Sequence, residues 1–94
     1  MSRGILTEEV NKIAEDMIHR KITQVELRLI PYIQYAMVNE QKIEPRRVNA
    51  EEREILAKWR KEGFIDGGAG GLLITKEFWD FMCEILFETY VKSN

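Results

Sequence analysis

Apolar residues recur three or four apart along much of this chain, and that spacing marks out helices. Val10, Ile13, Ala14, Met17 and Ile18 predict a first helix from Thr7 to about Lys21, with those side chains facing inward. Thr7 can accept from an orphan backbone N–H at the helix start. Glu8 and Glu9 complement the positive end of the dipole, and Arg20 and Lys21 the negative end. Residues 1–6 precede the pattern and read as a disordered tail.

The run Thr23-Gln-Val-Glu26 is a capping box, in which hydroxyl and carboxylate each satisfy a backbone donor. It opens a second helix reaching about Gln41, with Ile22, Val25, Leu29, Ile33, Ala36 and Met37 as its buried stripe. Pro31 conflicts with this reading, because proline in a helix interior costs about 3 kcal/mol and disfavours helix at Ile30. A kink, or a restart with Pro31 opening a second piece, is expected there. Gln41 to Asn49 is a linker with room for about one helical turn.

A second capping box, Asn49-Ala-Glu-Glu52, opens a third helix that stops at Gly63. At 100° per residue, Ile55, Leu56 and Trp59 share one side; Arg53, Ala57, Arg60 and Lys61 share the other, with Glu54 beside them. Phe64-Ile65 and Leu72-Leu73-Ile74 read as short buried strands joined by the five-residue loop Gly67–Gly71. Thr75 then caps a last helix from Lys76 to about Val91. Its polar strip, Glu77, Asp80, Glu84 and Glu88, is narrow. Phe78, Trp79, Phe81, Met82, Cys83, Ile85, Leu86 and Tyr90 fill most of the remainder, and Phe87 flanks the strip. A surface helix needs an apolar stripe little wider than about 100°. The excess predicts cover by a second copy of the chain or by a partner protein, over Phe78, Trp79, Met82, Leu86, Phe87 and Tyr90.

Composition narrows the class. Ninety-four residues, 45% hydrophobic and 32% charged, suit one small globular domain spanning 1–94. No apolar run approaches the roughly 20 residues that span a bilayer, and the start turns acidic too early for a signal peptide. The single Cys83 can form no internal disulfide and no metal cluster, so a reducing, cytoplasmic setting is expected. The net charge of −2 argues against a generally basic nucleic-acid coat. Between Lys42 and Glu62, however, seven basic residues face five acidic ones, a local excess of the kind that steers polyanions.

The run Leu56-Ala-Lys-Trp59-Arg-Lys-Glu-Gly63-Phe64-Ile65, a loop, then Leu73-Ile74-Thr75, resembles the winged-helix regulators of the MarR type over about residues 50–82. The resemblance implies a mostly helical winged helix-turn-helix fold of about four helices and one small β-hairpin. It also implies that Ala50–Glu62 is the recognition helix of the major groove. Arg53, Arg60 and Lys61 would then face the groove, and Arg46, Arg47 and Lys58 the phosphates. This chain departs from the pattern in three ways. The wing holds no Lys or Arg, Glu51, Glu52 and Glu54 crowd the helix start, and the second helix is nearly absent.

Other candidate chemistry has simpler readings. The glycine loop is followed by a strand and lacks the helix and Lys-Ser/Thr of a phosphate loop, so it reads as a hairpin tip. His19 has no partners for catalysis or metal binding. Cys83 reads as a buried small hydrophobe, and Trp59 and Trp79 as core residues. Glu51, Glu52 and Glu54 suit the first turn of a helix. For the basic face, a solvated helix surface stands against nucleic-acid contact. The reading overall is a non-enzymatic, cofactor-free DNA-binding transcription regulator, bacterial or phage, dimeric through the last helix alone or with the first. The rival is a protein-interaction or inhibitor module, phage or prophage encoded, using the aromatic helix.

Overall fold

The structure, a computed structural model, describes residues 5–91. Its elements are α1 (Glu8–Ile18), α2 (Gln24–Asn39), a single 3-10 turn (Pro45–Arg47), α3 (Ala50–Glu62), β1 (Ile65–Gly68), β2 (Gly71–Ile74) and α4 (Lys76–Leu86). A π-helical turn, Phe87–Val91, extends α4. Four helices and a two-stranded antiparallel hairpin form a winged-helix-like arrangement, with α3 and the hairpin as its second half.

The caps sit where the sequence puts them. Thr7 accepts from the Val10 N–H, and Thr75 from the Phe78 N–H. Thr23–Glu26 and Asn49–Glu52 both form reciprocal capping boxes. Gly63 ends α3 at φ 83°. α1 ends earlier than expected, at Ile18, because His19 takes a left-handed conformation at φ 63° and turns Arg20 out of the helix. Residues 1–4 of the expected tail lie outside the described residues. The looseness does not extend to Leu6, whose N–H donates to Gln24 Oε1 at 2.7 Å and whose side chain packs on the core.

α2 is one helix across Pro31, not two pieces. It is central, packing against α3, α4 and β2. For that reason it buries Leu27 and Ile30 as well as Leu29, Ile33 and Ala36, while Val25 and Met37 are only half-buried. The start of the linker is tied to the hairpin. The Ile43 N–H donates to the Gly68 carbonyl at 2.9 Å, and the Leu72 N–H to the Gln41 carbonyl at 2.8 Å. Ile43 and Val48 are buried.

The hairpin pairs Ile65 with Ile74, Asp66 with Leu73, Gly67 with Leu72 and Gly68 with Gly71. The connecting turn is therefore Ala69-Gly70, two residues instead of five. Phe64 lies outside the strands; Asp66 and Gly67 of β1 are exposed and Leu73 of β2 is 66% exposed, so neither strand is wholly buried. Gly67 has φ 78°, and a Cβ there would run into the Gly71 carbonyl oxygen. No residue but glycine suits that position.

The centre of the α4 arc is covered within the chain, by α1 and α2. Phe78 (1% exposed) and Met82 (0%) belong to the core and are no interface, contrary to the sequence-based expectation. Phe78 stacks on Phe64 at 4.6 Å and meets Trp59 edge-on at 4.9 Å. Aromatic contacts of this kind favour deep burial. Phe87 is 53% exposed, and Trp79, Leu86 and Tyr90 are partly so.

Candidate nucleic-acid interface

Sequence periodicity divides α3 correctly. Leu56 and Trp59 are buried, Ile55 is half-buried, and Arg53, Glu54, Ala57, Lys58, Arg60 and Lys61 are exposed. Arg46 and Arg47 are exposed on the turn before it. The six candidate cations are not equivalent, however. Arg53 Nη1 donates to the Val48 carbonyl at 2.9 Å, and Arg60 Nε to the Gly67 carbonyl at 2.6 Å. These two arginines tie α3 to the segment before it and to the hairpin after it. The side chains of Arg46, Arg47, Lys58 and Lys61 have no partner among the described residues.

Acidic groups near this face are partly engaged. Glu52 accepts from the Asn49 N–H at 2.9 Å, and Glu44 caps the 3-10 turn. Glu62 is drawn to Arg20, whose Nε lies 2.6 Å from Oε2. Glu51 and Glu54 remain exposed. The hairpin adds no cation.

Behind α3 lies a polar cluster that periodicity does not reveal. Glu26, the capping-box carboxylate of α2, has no exposed surface. Arg20 grips it with both Nη atoms, at 2.7 and 3.2 Å, and the indole Nε1 of Trp59 donates to it at 2.9 Å. The Thr23 N–H adds a fourth bond, at 2.9 Å. Burial pushes the Glu26 carboxyl upward, but the bonds from Arg20, Trp59 and Thr23 outweigh it and hold the group below its ordinary value. The bonds to Glu62, opposed by burial and reinforced by Glu26, hold the Arg20 guanidinium above its own. Every polar atom of the cluster is satisfied and both charges are fixed. This arrangement locks the ends of α1, α2 and α3 together and offers no mobile proton.

The remaining candidates fall as follows. Trp59 is core, as expected, and Trp79 packs against the core. Cys83 is exposed, not buried, and its Sγ accepts from Gln34 Nε2 at 3.2 Å. His19 is exposed. Among the described residues, no group of His, Cys, Asp and Glu side chains is arranged to hold a metal ion, and no helix is long and apolar enough to cross a membrane. Compared with known proteins, the chain matches no family model, no curated protein and no solved structure.

Proposed function

We propose that this chain is a non-enzymatic, winged-helix regulator of the cytoplasm that binds duplex DNA through α3 and the turn before it. One observation carries the reading: four cations, Arg46, Arg47, Lys58 and Lys61, stand exposed and without a side-chain partner among the described residues, where this fold presents its recognition helix. Ala50 and Ala57, both exposed on α3, leave room for the helix backbone to approach a groove.

Binding to a random-sequence duplex across a salt series tests this. Each phosphate contact contributes a slope of about −0.9 in log K against log salt, so changing the four cations to Ala should flatten the slope by up to roughly 3.6. Arg53 and Arg60 stay in place in that variant because they hold backbone. Absence of binding at about 50 mM salt, where the electrostatic attraction is strong, sinks the reading.

A protein-interaction module is the second reading. The cation-free hairpin and the exposed Val38 and Leu73, each 66% exposed, favour it. It becomes the first reading if DNA binding is absent.

A further inference from the structure

We infer that Arg60 is a pre-oriented phosphate fork at the junction of α3 and the hairpin, not a side chain that reads bases. The inference rests on the DNA-binding reading and gives Arg60 a particular role within it.

Arg60 is exposed, yet its head group is not free to swing. Nε donates to the Gly67 carbonyl at 2.6 Å, which fixes the guanidinium against the hairpin. Nη2 lies 2.8 Å from where a Cβ on Gly68 would stand, and Cζ 3.9 Å from it. The guanidinium therefore lies on the bare backbone of Gly68, which it helps to bury. Two of the hairpin glycines thus serve Arg60: Gly67 supplies the acceptor and Gly68 the space.

Arginine has five N–H donors in a rigid plane. One is committed to Gly67. The Nη hydrogens have no acceptor among the described residues. They lie beside a turn, Ala69-Gly70, that carries nothing larger than a methyl group. Phosphate oxygens suit such an edge, because guanidinium binds them through two parallel N–H bonds. Fixing the group beforehand lowers the ordering cost of binding. The same fixation pulls Arg60 towards the hairpin and away from the centre of α3's exposed face, where base contact occurs. A wing without Lys or Arg can hold the DNA backbone in this way, with its cation lent by the neighbouring helix.

The test compares wild type, Arg60→Ala, Arg60→Lys and Gly68→Ala on a random duplex between about 50 and 200 mM salt, a range in which phosphate contacts are resolved. Gly68→Ala changes no charge. Its methyl meets only the movable end of Arg60, so the fold survives while the guanidinium is displaced. The fork predicts that Gly68→Ala and Arg60→Ala both weaken binding, each roughly fivefold, the effect of losing a charged hydrogen-bonded contact near solvent. Arg60→Lys should not restore it, because an ammonium cannot bond Gly67 and present a planar edge together. If Gly68→Ala fails to fold, Arg60→Lys decides alone. Wild-type-like binding by Arg60→Lys and Gly68→Ala overturns the fork and leaves DNA binding intact. Failure of wild type itself to bind overturns both.

Discussion

Glu26 does two jobs with one carboxylate. It completes the capping box of α2, and it forms the buried end of the Arg20–Glu26–Trp59 cluster. The first job is legible in the sequence, because Thr23 and Glu26 stand three apart. The second is not: Trp59 is 33 residues away, and Arg20 and Glu62 are 42 apart. Periodicity reports which face is apolar but cannot match one buried charge to another across the chain. His19 helps by ending α1 early, which frees Arg20 to turn inward. The cluster makes a pH prediction. Glu26 is held below its ordinary value of 4.5 when folded, so the unfolded chain takes up its proton first. The stabilisation is complete above about pH 4.5 and disappears as pH falls through the folded value. Glu26→Gln should cost about 2–3 kcal/mol at neutral pH, since it removes a buried charge from a paired site. For a domain this small that is a fall in Tm of roughly 10–20 °C. The variant should also lose part of the acid-dependent decline. Melting curves from pH 7 to pH 2 check both points, and an unchanged acid limb would show that Glu26 is not a charged partner of Arg20.

Among the elements, α2 shows what local rules see and what packing overrides. Its start is fixed by the capping box, and its length follows from the apolar repeat. Proline argues for a break at Pro31, but the helix runs through it. Packing against α3, α4 and β2 on several sides supplies more than the lost bond removes. Tertiary burial is the usual source of helix stability in short helices. The Leu27 carbonyl, four residues back and buried, is left without its helical donor. Pro31→Ala should restore that bond. The gain is reduced because proline also restricts the unfolded chain. The net effect should be a stabilisation of roughly 1–2 kcal/mol, read as a higher urea midpoint at unchanged m. A lower midpoint would mean that the half-buried ring of Pro31 packs better than its missing N–H costs. The hairpin is less legible in the sequence. A run of glycines carries no side-chain pattern, so the register, and the reach of Arg60 over Gly68, follow only from tertiary placement. The docking of Gln41–Ile43 beside the hairpin is hidden similarly, since Ile43 stands alone among polar neighbours in the linker and shows no periodicity.

The whole molecule measures 34 × 26 × 23 Å and has a single core cluster, to which all four helices and both strands contribute. The exposed candidate cations lie on α3 and the turn before it, and the exposed Phe87 on the π-helical turn that extends α4. The apolar arc of α4 overstates its surplus, because a helical wheel cannot count how many neighbours a helix has. With Phe78 and Met82 in the core, the surplus reduces to Trp79, Leu86, Phe87 and Tyr90, alongside the exposed Cys83. Trp79, Cys83 and Leu86 are spaced by four and three, the interval of a helix-pairing seam. Self-pairing of α4 along this seam is the homodimer we propose. At micromolar concentration, sedimentation should give about twice the mass of 11.1 kDa. Phe87→Asp should give a monomer of unchanged fold, since that side chain is already half in water. Binding of two half-sites by such a dimer requires its α3 helices to stand about one DNA turn apart, roughly 34–36 Å. The dimer should therefore bind a duplex of about 20 base pairs far more tightly than one of about 10, because the second half-site is engaged at high effective concentration. Phe87→Asp should remove that length dependence while leaving the affinity for the short duplex alone. A monomeric wild type with no length dependence would assign the α4 strip to a different protein, and the DNA surface on α3 would then act singly.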